Sequence, residues 1–329
     1  MSIERPNYEN SQILPLKGEV SPESMPEYIK QQFDNPEKLE MYGRDLEIVD
    51  ISPEEKDIKS KVPVVYSMGW GVTKESHRGT MLGLAEDRRV LAVDAPHGFD
   101  SKDVPPEEKI EAEDIPQIQL AKVTALLKAM EAKGLKKTDV VAHSEGAIVA
   151  IFAATLRPDL FRNMVLVNPA GMIGEDTKWK LMGRATLDIA LQIKRIWDRA
   201  EGSLLERTAQ TGKKMLMPSI DLNKVIASSP MKTWRSIGEI SGAQVHELIG
   251  GLKDLGIKIS IIHGVDDKFF PMEKVQKNIL AESVAGVYSV TEGHDAIRHN
   301  PERYAKLSRV ALDDLQKLRE KEEAEAVQQ

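Results

Sequence analysis

Val140-Val141-Ala142-His143-Ser144-Glu145-Gly146-Ala147-Ile148 is the stretch on which the reading of this 329-residue chain turns. A short apolar run leads into a serine flanked by small residues and then into an apolar helical pattern. In a tight strand-to-helix turn the two backbones come close together, so the positions two before and two after the serine must be small. Ala142 and Gly146 fill them. Such a turn presents a serine hydroxyl above the sheet edge as a nucleophile. The competing reading of so short a motif is an ordinary surface turn, and the strand before and helix after it weigh against that.

On both sides of this stretch the pattern repeats. The β-branched runs Val62 to Tyr66, Val90 to Val93, Val140 to Ala142, Met164 to Val167, Ile257 to Ile262 and Gly286 to Val290 are each followed within a few residues by Gly, Pro, Asp or His. Leu46 to Ile51 alternates loosely as an earlier strand, and Leu120, Val123, Leu127 and Met130 recur at helical spacing within Ile118 to Leu135. Strands alternating with helices predict an α/β fold, a mostly parallel sheet covered on both faces. In such sheets ligands bind beyond the carboxyl ends of the strands.

The alternation is interrupted once, between Asn168 and Lys258, by helical patterning without a convincing strand. Met182, Ala185, Ile189, Ile193, Ile196, Trp197 and Ala200 mark one long amphipathic helix there, and further helical segments from Thr233 to Leu255 are expected to break at Gly242 and at Gly250-Gly251. The organisation expected is an N-terminal extension over residues 1–37 laid on the surface, a core of residues 38–172 and 256–329, and a helical cap of residues 173–255. Ser21-Pro22-Glu23 reads as a helix start within the extension. Asn300 to about Glu325 reads as a C-terminal helix with a charged tail.

Composition narrows the function. A net charge of -7 argues against nucleic acid, whose phosphates need a basic partner. No run approaches the ~18 apolar residues of a transmembrane helix, and the N-terminus lacks the apolar core of a signal peptide, so a cytoplasmic protein is expected. With no cysteine, disulfides, Cys-ligated zinc and a thiolate nucleophile are excluded.

An activated serine needs a base, and the base a carboxylate to orient it. Among seven histidines, His294 in Gly293-His294-Asp295 follows the last strand-like run, where the chain returns over the Ser144 turn. His299 precedes Asn300-Pro301 at the start of the C-terminal helix, His143 lies inside the turn and points away from the hydroxyl, and His263 closes a strand. Asp266 and Asp267 both follow the buried run Ile261-Ile262, and either could reach the base; with His263 they also permit a metal reading, which no second His cluster supports. For the oxyanion, the Gly-rich turn Tyr66-Ser67-Met68-Gly69-Trp70-Gly71 and the backbone N–H of Glu145 are the donors. It matches neither common phosphate-binding glycine motif.

Together these features resemble the α/β-hydrolase superfamily, over roughly Leu46 to Leu318. The order Ser144, Asp267, His294 is the order that superfamily uses, and the cap falls where its lidded members carry theirs. Asp94-Ala95-Pro96-His97-Gly98-Phe99 is similar to the loop after the family's fourth strand. The resemblance of Gly264 to Pro271 to the acid-bearing segment implies Asp267 rather than Asp266, and the family pattern implies Trp70 and Glu145 as the oxyanion donors. Met68-Gly69 replaces the family's usual His-Gly, and Ala142 resembles a variant of the turn found in some bacterial lipases. The resemblance implies an eight-stranded-type sheet and a serine hydrolase that cleaves carboxylic esters through an acyl-enzyme, without metal or organic cofactor. Its partner is a small-molecule ester or lactone, with Met68, Gly69 and Trp197 as candidates for touching it. The same triad serves lactonases, thioesterases and carbon–carbon bond hydrolases, and a binding protein of this fold without turnover is the reading from another class.

Overall fold

β-branched runs that are apolar at every position belong to strands covered on both faces, and here they pair into one eight-stranded sheet. The computed structural model describes residues 24–41, 43–55, 58, 62–94, 115–280 and 283–327. The strands are β1 (Glu37–Met41), β2 (Arg44–Ile51), β3 (Val64–Ser67), β4 (Val90–Asp94), β5 (Thr138–His143), β6 (Phe161–Val167), β7 (Lys258–Gly264) and β8 (Gly286–Val290). Their order is β1-β2-β4-β3-β5-β6-β7-β8. β1 and β2 pair antiparallel, as do β2 and β4, and all other neighbours are parallel.

Side chains alternate between two helical layers. Val140 and Ala142 of β5 pack with α3 (Gln117–Ala132) and α4 (Glu145–Leu156), together with Leu252 of α8 (Ile249–Asp254). Val141 turns to the opposite layer, formed by α1 (Glu27–Asp34), α2 (Arg78–Leu84), α10 (Ala296–His299) and α11 (Pro301–Val327). Each such buried Val contributes roughly 1.5–3 kcal/mol. The chain leaves β3 for β4 on one side and later enters β5 on the other, so β3 lies where the strand order reverses. The crevice of a doubly wound sheet opens at such a switch point, and here it lies beyond Ser67 and His143.

The N-terminal part departs from expectation. The Ser21-Pro22-Glu23 helix start lies outside the described residues, as does the loop of residues 95–99. From residue 24 onward the stretch expected as a surface extension is structural: Met25, Ile29 and Phe33 are buried with Tyr66 and Met81. β1 was not expected. Glu37-Lys38-Leu39-Glu40-Met41 has little β character by itself and forms an edge by pairing with β2.

Between β6 and β7 lie α5 (Lys178–Arg199), α6 (Leu204–Ser228), α7 (Pro230–Gly242), a 3-10 turn (Val245–Leu248) and α8, with no strand among the described residues. Thr177 caps α5 through the amide of Lys180, and Ser203 with Glu206 forms a capping box on α6. The break expected at Gly250-Gly251 is absent. α8 runs through both glycines with Ile249 and Leu252 buried, and that burial outweighs a helix cost of about 1 kcal/mol per Gly. The inner face of α5 also differs from the apolar stripe read in the sequence. Leu181, Asp188, Gln192 and Ile196 are its buried residues, while Met182 and Ile193 are exposed. A helical pair, α9 (Met272–Asn278) and α10, brackets β8. Among the described residues no helix is long and apolar enough to cross a membrane.

Candidate active site

Ser144 sits between β5 and α4 with φ 54 and ψ −122, a positive φ that non-glycine residues rarely hold. Strain of this kind costs of order 1–3 kcal/mol and persists only where its surroundings enforce it. Here the amide of Ser144 donates to the carbonyl of Val167 at 3.0 Å, and its own carbonyl accepts from the amides of Ala147 at 3.0 Å and Ala170 at 3.1 Å. Close approach decides position 146: a β-carbon on Gly146 would lie 2.2 Å from the carbonyl oxygen of Ser67. The oxygen is backbone and a β-carbon is fixed to its own backbone, so neither yields by rotating a side chain. Gly146→Ala is therefore expected to destabilise the protein by about 3 kcal/mol through overpacking and to push Ser67 and the Gly-rich turn off Ser144. A melting temperature within a degree of wild type would refute this.

His294 follows β8 and is buried, as is Asp267 after β7; Ser144 is 8% exposed. Nδ1 of His294 lies 2.8 Å from Oδ2 of Asp267, and Nε2 lies 2.9 Å from Oγ of Ser144. A carboxylate only accepts, so Nδ1 carries the proton, and Nε2 of the neutral ring is left as the acceptor for the serine hydroxyl. The other oxygen of Asp267 accepts the amide of Phe270 at 2.9 Å. Asp266, its neighbour, points away: its side chain is half exposed and pairs with Arg195 at 3.4 Å. Burial works against a charged His294, but the charge and hydrogen bond of Asp267, with Asp295 and Asp188, outweigh it and hold its pKa above the usual imidazole value.

The loop bearing His294 is fastened from below. Its carbonyl accepts Nδ2 of Asn168 at 2.8 Å and Nε2 of His143 at 3.3 Å, while Oδ1 of Asn168 accepts the amide of Gly264 at 2.7 Å. Asn168 thus joins the ends of β6 and β7 to the His294 loop, at a φ of 44. Sequence reading passed over it; the available signal was an Asn directly after a buried strand, a residue type that tolerates left-handed backbone. Above the ring, Phe269 stacks on His294 at 4.6 Å between centroids, and Phe270 meets it edge-on at 5.2 Å.

The Gly-rich turn lies against Ser144: a β-carbon on Gly69 would come within 3.1 Å of Cβ of Ser144. Met68, Gly69 and Trp70 are all partly buried there. Glu145 is the first residue of α4, so its N–H is one of the helix donors without an intrahelical acceptor. Its side chain is buried away from solvent, accepting from Gln119 Nε2 at 2.7 Å and Lys122 Nζ at 2.6 Å. These contacts tie the start of α4 to α3.

The remaining histidines and the tryptophans of the insertion hold other contacts. His263 is buried, with Nε2 donating to the carbonyl of Phe270 at 2.8 Å, and His299 ends α10. Trp197 lies under the guanidinium of Arg207 at 4.9 Å, a contact between α5 and α6, and Trp179 packs edge-on against Trp234 at 5.1 Å. The donors His143, His294 and Asp295 lie within 4.8 Å of one another. Both ring nitrogens of His294 are engaged by Asp267 and Ser144, so a metal there would displace one of those contacts.

Comparison with known proteins agrees with this architecture. Residues 62–294 match the model of the alpha/beta hydrolase fold family. At the level of sequence, no curated protein matches the chain. Among solved structures, a hydrolase from Pseudomonas aeruginosa PA01 is similar at a TM-score of 0.58 and 16% identity, covering 84% of this chain and 98% of that one. The enol-lactonase from Burkholderia xenovorans LB400 is similar at a TM-score of 0.58 and 15% identity, covering 84% and 100%. A meta-cleavage product hydrolase from Pseudomonas fluorescens IP01 reaches 0.57 and 18%, covering 84% and 97%.

Proposed function

The chain belongs to the α/β-hydrolase family, and from that premise we propose that it is a serine-dependent hydrolase of carboxylic esters acting through an acyl-enzyme. The observation that carries this reading is the continuous contact Ser144–His294–Asp267, at 2.9 and 2.8 Å. Nε2 of His294 takes the proton of Ser144 as Oγ attacks the ester carbonyl. The backbone N–H groups of Trp70 and Glu145 receive the oxyanion, and Asp267 stabilises the imidazolium. The imidazolium then protonates the departing alkoxide, and water activated by the same ring releases the acid. Met68 and Gly69 border the substrate, and the helices of residues 173–255 act as the cap that closes over it. No metal or cofactor enters this scheme.

The test is labelling by a fluorophosphonate probe followed by a panel of small-molecule esters. Labelling at Ser144 with turnover of some ester supports the reading, whereas a folded protein that resists the probe would be a binder. Turnover confined to lactones, thioesters or substrates cleaved at a carbon–carbon bond would keep the machinery and move the substrate class. The pH dependence has a definite sign. His294 must be neutral to accept a proton and its pKa is raised, so kcat/KM should fall with a slope of one as pH drops through a value above the ordinary ~6.5. An acid limb centred well below that value would contradict the assignment of His294 as base.

A further inference from the structure

Helix α5 touches the acid-bearing loop at three successive points. Arg184 Nε donates to the carbonyl of Phe269 at 2.9 Å, Oδ1 of Asp188 accepts the amide of Lys268 at 3.0 Å, and Arg195 pairs with Asp266 at 3.4 Å. Residues 184, 188 and 195 share one helix face, and the residue they enclose is Asp267. Of the three, Asp188 is the anomaly. It is 1% exposed, and its second oxygen has no hydrogen-bond partner among the described residues. It also overhangs the loop of the base: a β-carbon on Gly293 would lie 3.4 Å from its Oδ1.

We propose that Asp188 is a positioning residue of this same site: one oxygen fixes the loop that presents Asp267, and its charge stabilises the protonated form of His294. The proposal rests on the reading of His294 as base. A carboxylate that served only to tie the loop would need one oxygen and no charge, and an asparagine or glutamine would meet that need. A buried carboxylate with a free oxygen is costly, and the position facing it that gains is an imidazole that must become positive during turnover. The charged and titratable groups around His294 are Asp267 and His263 from β7 and its loop, Asp295 just before α10, His143 from β5 and Asp188 from α5, with the guanidinium of Arg195, also from α5, over the adjoining Gly293. Arg298 is paired to Asp295. Burial pushes the carboxyl of Asp188 up to about 6, against the opposing pull of His294. At neutral pH it is therefore mostly ionised and carries the charge required.

The substitutions Asp188→Asn and Asp188→Ala separate the two roles. Asn retains an oxygen for the Lys268 amide and loses only the charge; Ala loses both. In Asp188→Asn, the imidazole of His294, followed by NMR and assigned by its loss in His294→Gln, should titrate about one pH unit lower. The acid limb of kcat/KM should move with it. The folded-state pKa of Asp188 is raised, so the stability linked to its protonation is present below the unfolded value and lost as pH rises through about 6. Asp188→Asn should thus melt higher than wild type at pH 8 and converge with it below about pH 4. Asp188→Ala should lose a further factor on the order of 10 in kcat as the loop relaxes. An unmoved His294 titration in Asp188→Asn, or a lower melting temperature at pH 8, would overturn the proposal. Because the NMR titration needs no turnover, it still decides the matter if the fluorophosphonate probe fails to label Ser144, which would count against the hydrolase reading alone.

Discussion

Ser144→Ala is expected to keep the fold and to lower ester turnover by at least ~10³-fold, the usual consequence of removing a member of a catalytic triad. The fold survives because the turn is held by backbone groups. The amide of Ser144 bonds to Val167, and its carbonyl receives Ala147 and Ala170, all of which alanine reproduces. Alanine also has the same Cβ, so the positive φ at this position is no harder to hold. What disappears is the one atom that forms the acyl bond, together with its contact to Nε2 of His294. Residual activity would come from the oxyanion donors and substrate positioning. The measurement is steady-state turnover on the best ester of the panel, with circular dichroism to confirm folding. Retention of more than a tenth of wild-type activity in a clean preparation would remove Ser144 from its proposed role.

Asp267→Asn is expected to cost about 10⁴-fold in turnover, the order of loss that follows when the carboxylate orienting a triad histidine becomes an amide. In the wild type one oxygen of Asp267 is committed to the amide of Phe270 and the other to Nδ1 of His294. Asparagine must keep its oxygen on the Phe270 amide, since an NH2 facing an N–H is repulsive. Its NH2 then faces Nδ1, which can accept only if the ring proton moves to Nε2. That tautomer has no lone pair for the hydroxyl of Ser144. Asp266→Asn, by contrast, removes a half-exposed partner of Arg195, an interaction worth about 0–1 kcal/mol, and should change turnover only a few-fold. A large loss in Asp266→Asn with near-normal activity in Asp267→Asn would reverse the assignment.

The choice between these neighbours illustrates where sequence reading stops. Both carboxylates follow the same buried strand, and only the family resemblance separated them. The loop turn that aims one inward and the other at Arg195 arises from contacts with Phe270 and α5. The missed residues share that property. Asn168 matters because β7 and the His294 loop converge on it from 96 and 126 positions away. Asp188 reads as a charge on a surface helix until α5 is laid over the acid loop. β1 exists because β2 offers it an edge.

By itself the sequence determined what depends on neighbours along the chain. These are the doubly buried strands, the helix and turn periods, the small residues around Ser144, and the position of the helical insertion between two strands. These are set by local sterics and by apolar patterns with a period of 2.0 or 3.6. The tertiary structure alone decided which polar groups meet. Ser144 and His294 are 150 positions apart, and Asp267 and His294 are 27 apart. Hydrogen bonding requires alignment within a few tenths of an ångström, and no local rule carries that precision across a sheet. It comes from the order of the strands, the crossing of α5 over the loop, and a core packed tightly enough to hold both in place.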